Sequence, residues 1–379
     1  MKTTGLSGHE IYCLDKSGFK AGDIVVGNSV HALGFGRAIG SVFNAVVGGE
    51  VEQFTNLIQE GRESAIEKME AEAKKESAVG ITGVTSEIIF HGTNMEFLSL
   101  GSTLHKKGGE SEGKSLEFST SSNGQDVYVQ MDSGYKPLKF VFGNVAYSIG
   151  ITRGIIGSLK TLIRGEVKEF SSIFNTTRHL ALERIVKEAK EVNANAVVGI
   201  ETTILPIGLG GLQEMLMIGT ASHNPSLGDD NIVTSDLTQQ EMWNLNELGY
   251  APVKLLLGTS VYSLGFVGGV TSFFKSFTKG EIPELTSLIY EARENALRII
   301  NDEANKIGAD EVVGVKTYVY QLGSGLIEFL AIGTAIKKTE GLKNKTDHLI
   351  PQAFMKDKDT FINSAEFSFG VDLNKNLNN

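Results

Sequence analysis

The stretch at residues 249–265, GYAPVKLLLGTSVYSLG, decides how this chain is organised, because the chain contains three versions of it. Residues 134–150 read GYKPLKFVFGNVAYSIG and share its GYxPxK start, its central glycine and its YSxG end. Residues 18–34, GFKAGDIVVGNSVHALG, keep the glycines and place His31 where the other two have a tyrosine. Self-similarity at a near-constant spacing indicates tandem structural repeats.

The likeness continues beyond this phrase, through a charged segment that begins GGEVEQF, RGEVKEF or KGEIPEL. Each repeat then contains AVGI, VVGI or VVGV and closes on EFLSLGST, EMLMIGTA or EFLAIGTA. We therefore predict three modules, at residues 8–107, 124–223 and 239–338. The polar segments between them, rich in Gly, Ser and Asp, are typical of linkers. Residues 339–379 have no counterpart and are predicted to form a C-terminal tail, either disordered or docked by its phenylalanines.

Within a module the patterns predict a strand, a glycine-rich amphipathic segment, a long helix and two further strands. Gly143 and Gly258 fall in mid-strand, which indicates either a bulge or the close approach of another backbone. In the third module the helix is predicted from about Glu281 to Ile307, with Pro283 in its first turn and an apolar stripe along one side. The fold class is therefore α+β, each module being a small antiparallel sheet with one long helix. The few strands of each sheet leave edges that modules or chains must cover by association.

These residues carry a resemblance to a known family. The pattern of GGE or RGE, an R-x-x-A helix segment, VVG followed by Ile or Val, and a closing GTA resembles the YbjQ-type domain, whose label refers to heavy-metal binding. The resemblance covers all three modules and implies a dodecin-subunit-like fold and assembly into a ring, with pentameric symmetry expected for the homo-oligomer. It brings no established reaction. Whether the three modules stack in tiers or lie around one ring stays open.

Composition narrows the function classes. The 379 residues carry a formal net charge of −10, which argues against nucleic acid as the main partner, because phosphate binding relies on clustered Lys and Arg. Cys13 is the single cysteine, so no intrachain disulfide can form. The longest apolar candidate, which starts at Phe140, is broken by Arg153 and Lys160 and is predicted to be a strand with an amphipathic continuation. We expect a cytoplasmic protein with no secretory signal and no membrane span.

Motifs for metal binding or catalysis do not recur among the modules. The seven histidines form no HxH or HxxxH pair, and none recurs in all three modules: His9, His31, His91, His105, His179, His223 and His348. The sequence has no G-x-S-x-G elbow and no phosphate loop of the GxxxxGK[ST] type, and Cys13 has no evident histidine partner. We therefore predict no metal site, no cofactor and no catalytic residue.

Charged residues do recur. One arginine holds the same helix position in each module, beside the apolar stripe, and one glutamate recurs near the start of each last strand: Arg62, Arg178, Arg293, Glu96, Glu214 and Glu328. A partly buried guanidinium needs acceptors. We interpret these residues as structural ion pairs, with an anion site facing a cavity as the alternative.

The hypothesis for function is a non-enzymatic, oligomer-forming scaffold protein that builds a ring, tube or cage from repeated modules. The alternative is a small-molecule or metal-binding protein that uses cavities between modules. An enzyme is the third hypothesis, and no recurring acid–base pair with a nucleophile supports it.

Overall fold

A computed structural model of the chain describes residues 2–32, 49–92, 94–108, 116–148, 164–207, 212–228, 231–264, 283–323 and 325–353. The chain divides into two compact units. Unit 1 comprises Met1–Gly36, Gln59–Tyr128 and Leu349–Asn379, and unit 2 comprises Arg37–Ile58 and Val129–His348.

The described residues form an α+β protein in which the same elements recur three times. The helices are α1 Gly8–Lys16, α2 Glu52–Lys75, α3 Gly124–Asp132, α4 Lys168–Glu191, α5 Gln239–Glu247 and α6 Pro283–Lys306. The strands are β1 Phe19–Ala32, β2 Gly49–Glu50, β3 Gly80–His91, β4 Asn94–Lys106, β5 Phe118–Ser119, β6 Lys136–Ser148, β7 Gly165–Glu166, β8 Ala196–Pro206, β9 Leu212–His223, β10 Val233–Thr234, β11 Tyr250–Ser263, β12 Glu311–Gly323 and β13 Leu326–Lys338.

Every module has an antiparallel sheet in which its last long strand lies between the other two. Unit 1 holds the order β1-β4-β3-β5, and unit 2 holds β10-β8-β9-β6-β2 and β12-β13-β11-β7. The first strand of each module bulges near its start, between Ala21 and Ile24, Pro137 and Lys139, or Pro252 and Lys254. The predicted order of strand, long helix, strand, strand is confirmed in all three modules.

Short strands at the sheet edges come from segments that the sequence pattern assigned to no strand. β5 and β10 follow the last long strand of their modules and pair in parallel with β3 and β8. Part of each predicted linker is thus built into a sheet. β2 and β7 lie immediately before the long helices α2 and α4, and each pairs with the first strand of the following module.

The mid-strand glycines let the long helix approach its sheet closely. A Cβ atom at Gly143 would lie 2.1 Å from the carbonyl oxygen of Ala181 in α4, and one at Gly258 would lie 2.3 Å from that of Ala296 in α6. Of the two alternatives raised by the sequence, the close approach of another backbone is therefore correct, and the bulges lie elsewhere in these strands. Pro283 lies in the first turn of α6, as predicted.

Each module opens with a nine-residue helix that the sequence analysis did not predict: α1, α3 and α5. Ser7 with Glu10, and Thr238 with Glu241, form complete capping boxes at α1 and α5. The S-x-x-E and T-x-x-E spacings are the signal that could have revealed two of these helices.

The start of the C-terminal tail is held in unit 2 by polar contacts. The Asn344 side chain donates to the carbonyl oxygen of Trp243 at 3.0 Å, and the Thr346 hydroxyl donates to the Asp132 carboxylate at 3.0 Å. The tail phenylalanines and the glycine-rich segments after the first strands lie outside the described residues. Among the described helices, none is long and apolar enough to cross a membrane.

Candidate functional site

The helix α4 lies between two sheets of unit 2. It packs against β6 and β9 of its own module and, on its other side, against β11 of the next module. One apolar core joins Phe174 and Ile185 of α4 to Leu257 and Leu330 of the following module's sheet. Module 2 therefore buries its helix only with the help of module 3.

A buried ion pair sits at the centre of this contact. The Arg178 guanidinium donates from Nε to Glu328 Oε1 at 3.1 Å and from Nη2 to Glu328 Oε2 at 2.8 Å, and both side chains are fully buried. Arg178 Nη2 also donates to the Tyr147 hydroxyl at 2.8 Å, and the guanidinium lies 4.4 Å from the centre of the Tyr147 ring. Arginine in module 2 thus meets glutamate in module 3.

The electrostatics keep the Arg178 guanidinium charged. Burial by itself would lower the pKa of Arg178, but the charge of Glu328 and its hydrogen bonds outweigh burial and raise that pKa. Burial raises the pKa of the Tyr147 hydroxyl, which therefore stays protonated. Within the described part of the chain, Arg178 Nη1 is buried without a hydrogen-bond partner.

A second feature of the contact is the short strand before each long helix. In module 2, the Val167 amide donates to the Val261 carbonyl oxygen at 2.8 Å, and the Val261 amide donates to Ser171 Oγ at 2.8 Å. The first module repeats this arrangement on module 2. There the Val51 amide donates to the Ala146 carbonyl oxygen at 2.8 Å, and the Ala146 amide donates to Thr55 Oγ1 at 3.0 Å.

These two instances give the repeated GGE, RGE and KGE motif a structural meaning. Gly-Glu forms the two-residue strand that extends the neighbouring sheet, with Glu50 opposite Tyr147 and Glu166 opposite Tyr262. The sequence shows the motif before each long helix, but a strand was not predicted there. Its recurrence at that place was the available signal.

The other recurring arginines and glutamates that the sequence predicted as ion-pair candidates differ in burial. Arg62 is fully buried and donates to the Ser86 carbonyl oxygen at 2.7 Å, and Glu214 is fully buried on β9. Arg293 is exposed on α6, 6.0 Å from the centre of the Phe329 ring.

Glu96 is 17% exposed and lies 2.6 Å from His91 Nε2 and 3.1 Å from Asn28 Nδ2. Both bonds hold the pKa of Glu96 below its usual value, that from His91 most strongly.

The fold and this contact define a class of protein: a tandem array of α+β modules in which the second module covers the sheet of the third. The chain belongs to the YbjQ family, whose model is described as "Putative heavy-metal-binding" and matches residues 15–101, 128–224 and 250–339.

Relatives of two kinds are similar to the chain. An encapsulin nanocompartment protein of Mycobacterium tuberculosis is 29% identical over 216 residues, which cover 55% of this chain and 80% of that protein. A UPF0145 protein of Methanocella arvoryzae is 40% identical over 91 residues, and one of Thermotoga maritima is 39% identical over 84 residues. These two alignments cover 23% and 22% of this chain and 75% and 78% of those proteins, so each relative is about one module long. The names of these relatives state no enzymatic activity. No solved structure matches the chain.

The described side chains do not fit the heavy-metal site that the family description suggests. Zinc and copper sites take three or four protein donors. Among the described residues no group of three or more His, Cys, Asp or Glu side chains could hold a metal ion. The pairs that do occur supply two donors each, such as His91 with Glu96 and His179 with Glu303.

One sequence interpretation of Cys13 was wrong, since a histidine does lie beside it. His9 Nε2 is 3.5 Å from Cys13 Sγ, four residues earlier on the same helix α1. Burial, with help from the charges of Glu10 and Asp126, raises the pKa of the Cys13 thiol to about 11. A thiol with that pKa is protonated at neutral pH and is a poor nucleophile.

Proposed function

We propose that this protein is a non-enzymatic scaffold subunit whose modules assemble into a larger closed or tubular structure. The observation that carries the proposal is the contact between modules 2 and 3, where a helix, an edge strand and a buried ion pair join one module to the next. The similarity to an encapsulin nanocompartment protein supports it, because that protein is named for a compartment. The family resemblance favours a ring with five-fold symmetry among the possible forms.

The test is the mass of the protein in solution. Mass photometry and light scattering at micromolar concentration should give one species of two or more chains, at an integer multiple of the 40.8 kDa chain mass, and five-fold symmetry requires that the number of chains be a multiple of five. Negative-stain images should then show closed particles. A stable monomer at micromolar concentration would contradict the proposal.

A second candidate function is the binding of a small anionic molecule between modules. It is favoured by Arg178 Nη1, which is buried and has no partner among the described residues. The pairing of the same guanidinium with Glu328 argues against it, because that carboxylate already neutralises the charge. Native mass spectrometry of freshly purified protein tests this candidate, and an unliganded mass argues against it.

The proposed localisation of the protein is the cytoplasm. A single buried thiol is compatible with a reducing compartment, where thiols stay unpaired.

A further inference from the structure

We propose that chains join head to tail, with the exposed side of α6 in one chain covering the exposed side of β1 in a second copy of this chain. The proposal rests on the proposed function, because it names the partner and the surfaces of the self-assembly. The tail face consists of Thr286, Tyr290 and Arg293 on α6 and Val315 and Val319 on β12. The head face consists of Val26, Asn28 and Val30 on β1 and Glu96 on β4.

The head face is exposed where its counterparts are buried. Val26 and Val30 are 44% and 58% exposed, although both are apolar residues in a sheet. Their counterparts are buried, at positions Phe142 and Ala146 in module 2 and Leu257 and Val261 in module 3. In those modules the edge of the first strand is covered by β2 or β7 of the preceding module. Among the described residues β1 has no strand on that edge.

The tail face shows the complementary difference. Arg293 is exposed, whereas its counterpart Arg178 is fully buried against module 3. Val315 is 43% exposed, and its counterpart Ile200 is 3% exposed. This side is thus exposed in module 3, whereas the matching side of module 2 is covered by module 3.

A hydroxyl near the start of the long helix is likewise exposed in module 3 and buried in the other two modules. Thr286 is exposed on α6, whereas its counterparts Thr55 and Ser171 are buried. Each of these two buried hydroxyls accepts a backbone amide from the first strand of the next module. Thr286 therefore carries the same acceptor on a surface that the described residues leave exposed.

The two faces match in chemistry as well as in exposure. Arg293 on the tail face corresponds to Arg178, and Glu96 on the head face corresponds to Glu328, so the buried pair of modules 2 and 3 can form again between chains. Thr286 can accept the amide of Val30, as Ser171 accepts that of Val261.

This geometry sets the stoichiometry of any ring. A head-to-tail contact uses different surfaces on its two sides, so it closes into a ring or propagates as a filament. Because each chain contributes three modules, a ring closed through this contact holds a multiple of three modules. A five-membered ring of single modules is therefore not available to this chain, and a ring of five chains would hold fifteen.

The test uses two full-length variants that each damage one face. Arg293→Glu places a carboxylate opposite Glu96, and Val30→Asp places a charge in the apolar part of the head face. Each variant alone should be monomeric, with association weakened on the order of a hundredfold or more, since each leaves a charge unpaired in a buried contact. An equimolar mixture should form a dimer of twice the chain mass and no larger species, because one intact head and one intact tail remain.

Matched controls are Arg298→Glu and Leu248→Asp. Arg298 is exposed on α6 at a position where the counterpart Glu183 is also exposed, and Leu248 is 67% exposed outside both faces. Both control variants should assemble like the wild-type chain. Thr286→Trp is a second tail variant in case Arg293→Glu does not give a folded protein by circular dichroism.

The outcomes separate this proposal from the proposed function. Wild-type assembly together with assembly of both face variants would overturn the head-to-tail contact and leave the scaffold proposal standing. Loss of assembly in the tail variant alone would also overturn it, because that result indicates a symmetric tail-to-tail contact. A monomeric wild-type chain would overturn the proposed function itself.

Discussion

At the scale of single residues, one recurring arginine is fully buried in two modules and exposed in the third. Arg62 donates to a backbone carbonyl of its own module, Arg178 pairs with a carboxylate of the next module, and Arg293 is exposed. The helix position is the same each time, so the neighbours that the fold supplies determine what the side chain does. A guanidinium with several fixed donors suits both carbonyl and carboxylate acceptors.

Replacing Arg178 with Met should destabilise the protein strongly. The change leaves the Glu328 carboxyl group buried without its main partner, and breaking a buried pair from one side costs roughly 3–5 kcal/mol. Urea denaturation followed by circular dichroism measures the loss. The double variant Arg178→Met, Glu328→Leu should recover most of it, because an apolar pair of similar volume needs no counter-charge.

A normal unfolding free energy for the single variant Arg178→Met, together with loss of a bound small molecule, would instead support an anion site. This outcome distinguishes the two interpretations of the recurring charges.

Gly258 should tolerate no side chain. An Ala Cβ there would lie 2.3 Å from the Ala296 carbonyl oxygen, so α6 must move away from β11. Overpacking of this kind costs about 1–3 kcal/mol. Thermal unfolding of Gly258→Ala measures it, and Gly228→Ala is the matched control, since nothing lies within 4 Å of a Cβ at that position. Equal melting temperatures for the two variants would contradict the close helix–sheet approach.

At the scale of elements, the long helix and the short strand before it act together. The two-residue strand extends the neighbouring sheet by backbone hydrogen bonds, and the helix that follows covers the same neighbour with apolar side chains. Covering an edge strand also protects it from unwanted pairing. The glycine-rich element between the first strand and this pair lies outside the described residues.

The contact between α4 and α6 should depend on pH through His179 and Glu303. These side chains are 3.6 Å apart, and Glu303 also bonds Lys254 at 2.7 Å. The interaction of the imidazole N–H with the Glu303 carboxylate raises the pKa of His179, although burial opposes it. Burial would raise the pKa of Glu303, but hydrogen bonds and positive charge from His179 and Lys254 outweigh it and lower that pKa to about 2.

The direction in which pH changes the stability follows from the difference in pKa between the folded and unfolded chain. The contribution of His179 is complete below its ordinary pKa of 6.5 and is lost as pH rises through the raised value. The contribution of Glu303 is complete above its ordinary pKa of 4.5 and is lost as pH falls through about 2. Both contributions are therefore complete only between these two ordinary values.

His179→Gln should lower the unfolding free energy at pH 5.5 by about 0.2–1 kcal/mol and should differ less from the wild type at pH 8.5. Urea denaturation at both pH values measures this. The exposed His348 supplies the control variant His348→Gln, which should show no such pH dependence. An equal loss in His179→Gln at both values would mean that charge on His179 does not matter.

At the scale of the whole molecule, the chain is three similar modules, and the structure suggests a rule for joining them. Module 2 is joined to module 3 by its long helix and the short strand before it. The matching side of the long helix in module 3 is exposed, and so is the matching side of the first strand in module 1. A repeat array of this kind gains its stability from contacts between neighbours as well as from each module.

Assembly should not require a bound metal. The described residues hold no group of three metal-binding side chains, and the contacts between modules 2 and 3 are made by apolar groups, backbone and an ion pair. Dialysis against a chelator should therefore leave the mass of the assembly unchanged by mass photometry. Dissociation that is reversed by added zinc, but not by magnesium, would contradict this expectation.

The sequence by itself determined the local architecture. Three repeats, an α+β module and the long helix with Pro283 in its first turn all follow from periodicity, turn chemistry and recurrence. At Gly143 and Gly258 the sequence left a bulge and a close backbone approach open, and the packing of the helix decided between them. The repeats, the module and the helix depend on patterns among residues close in the chain.

Only the tertiary structure decided which partner each recurring residue meets. Arg178 and Glu328 are 150 residues apart, and no local pattern shows that they belong to neighbouring modules that share one helix. The role of the GE motif was hidden for the same reason, because a two-residue strand has no periodicity of its own and is defined only by the sheet that it joins. Long-range pairing is a property of the packed chain, since it depends on which surfaces remain uncovered after each module has folded.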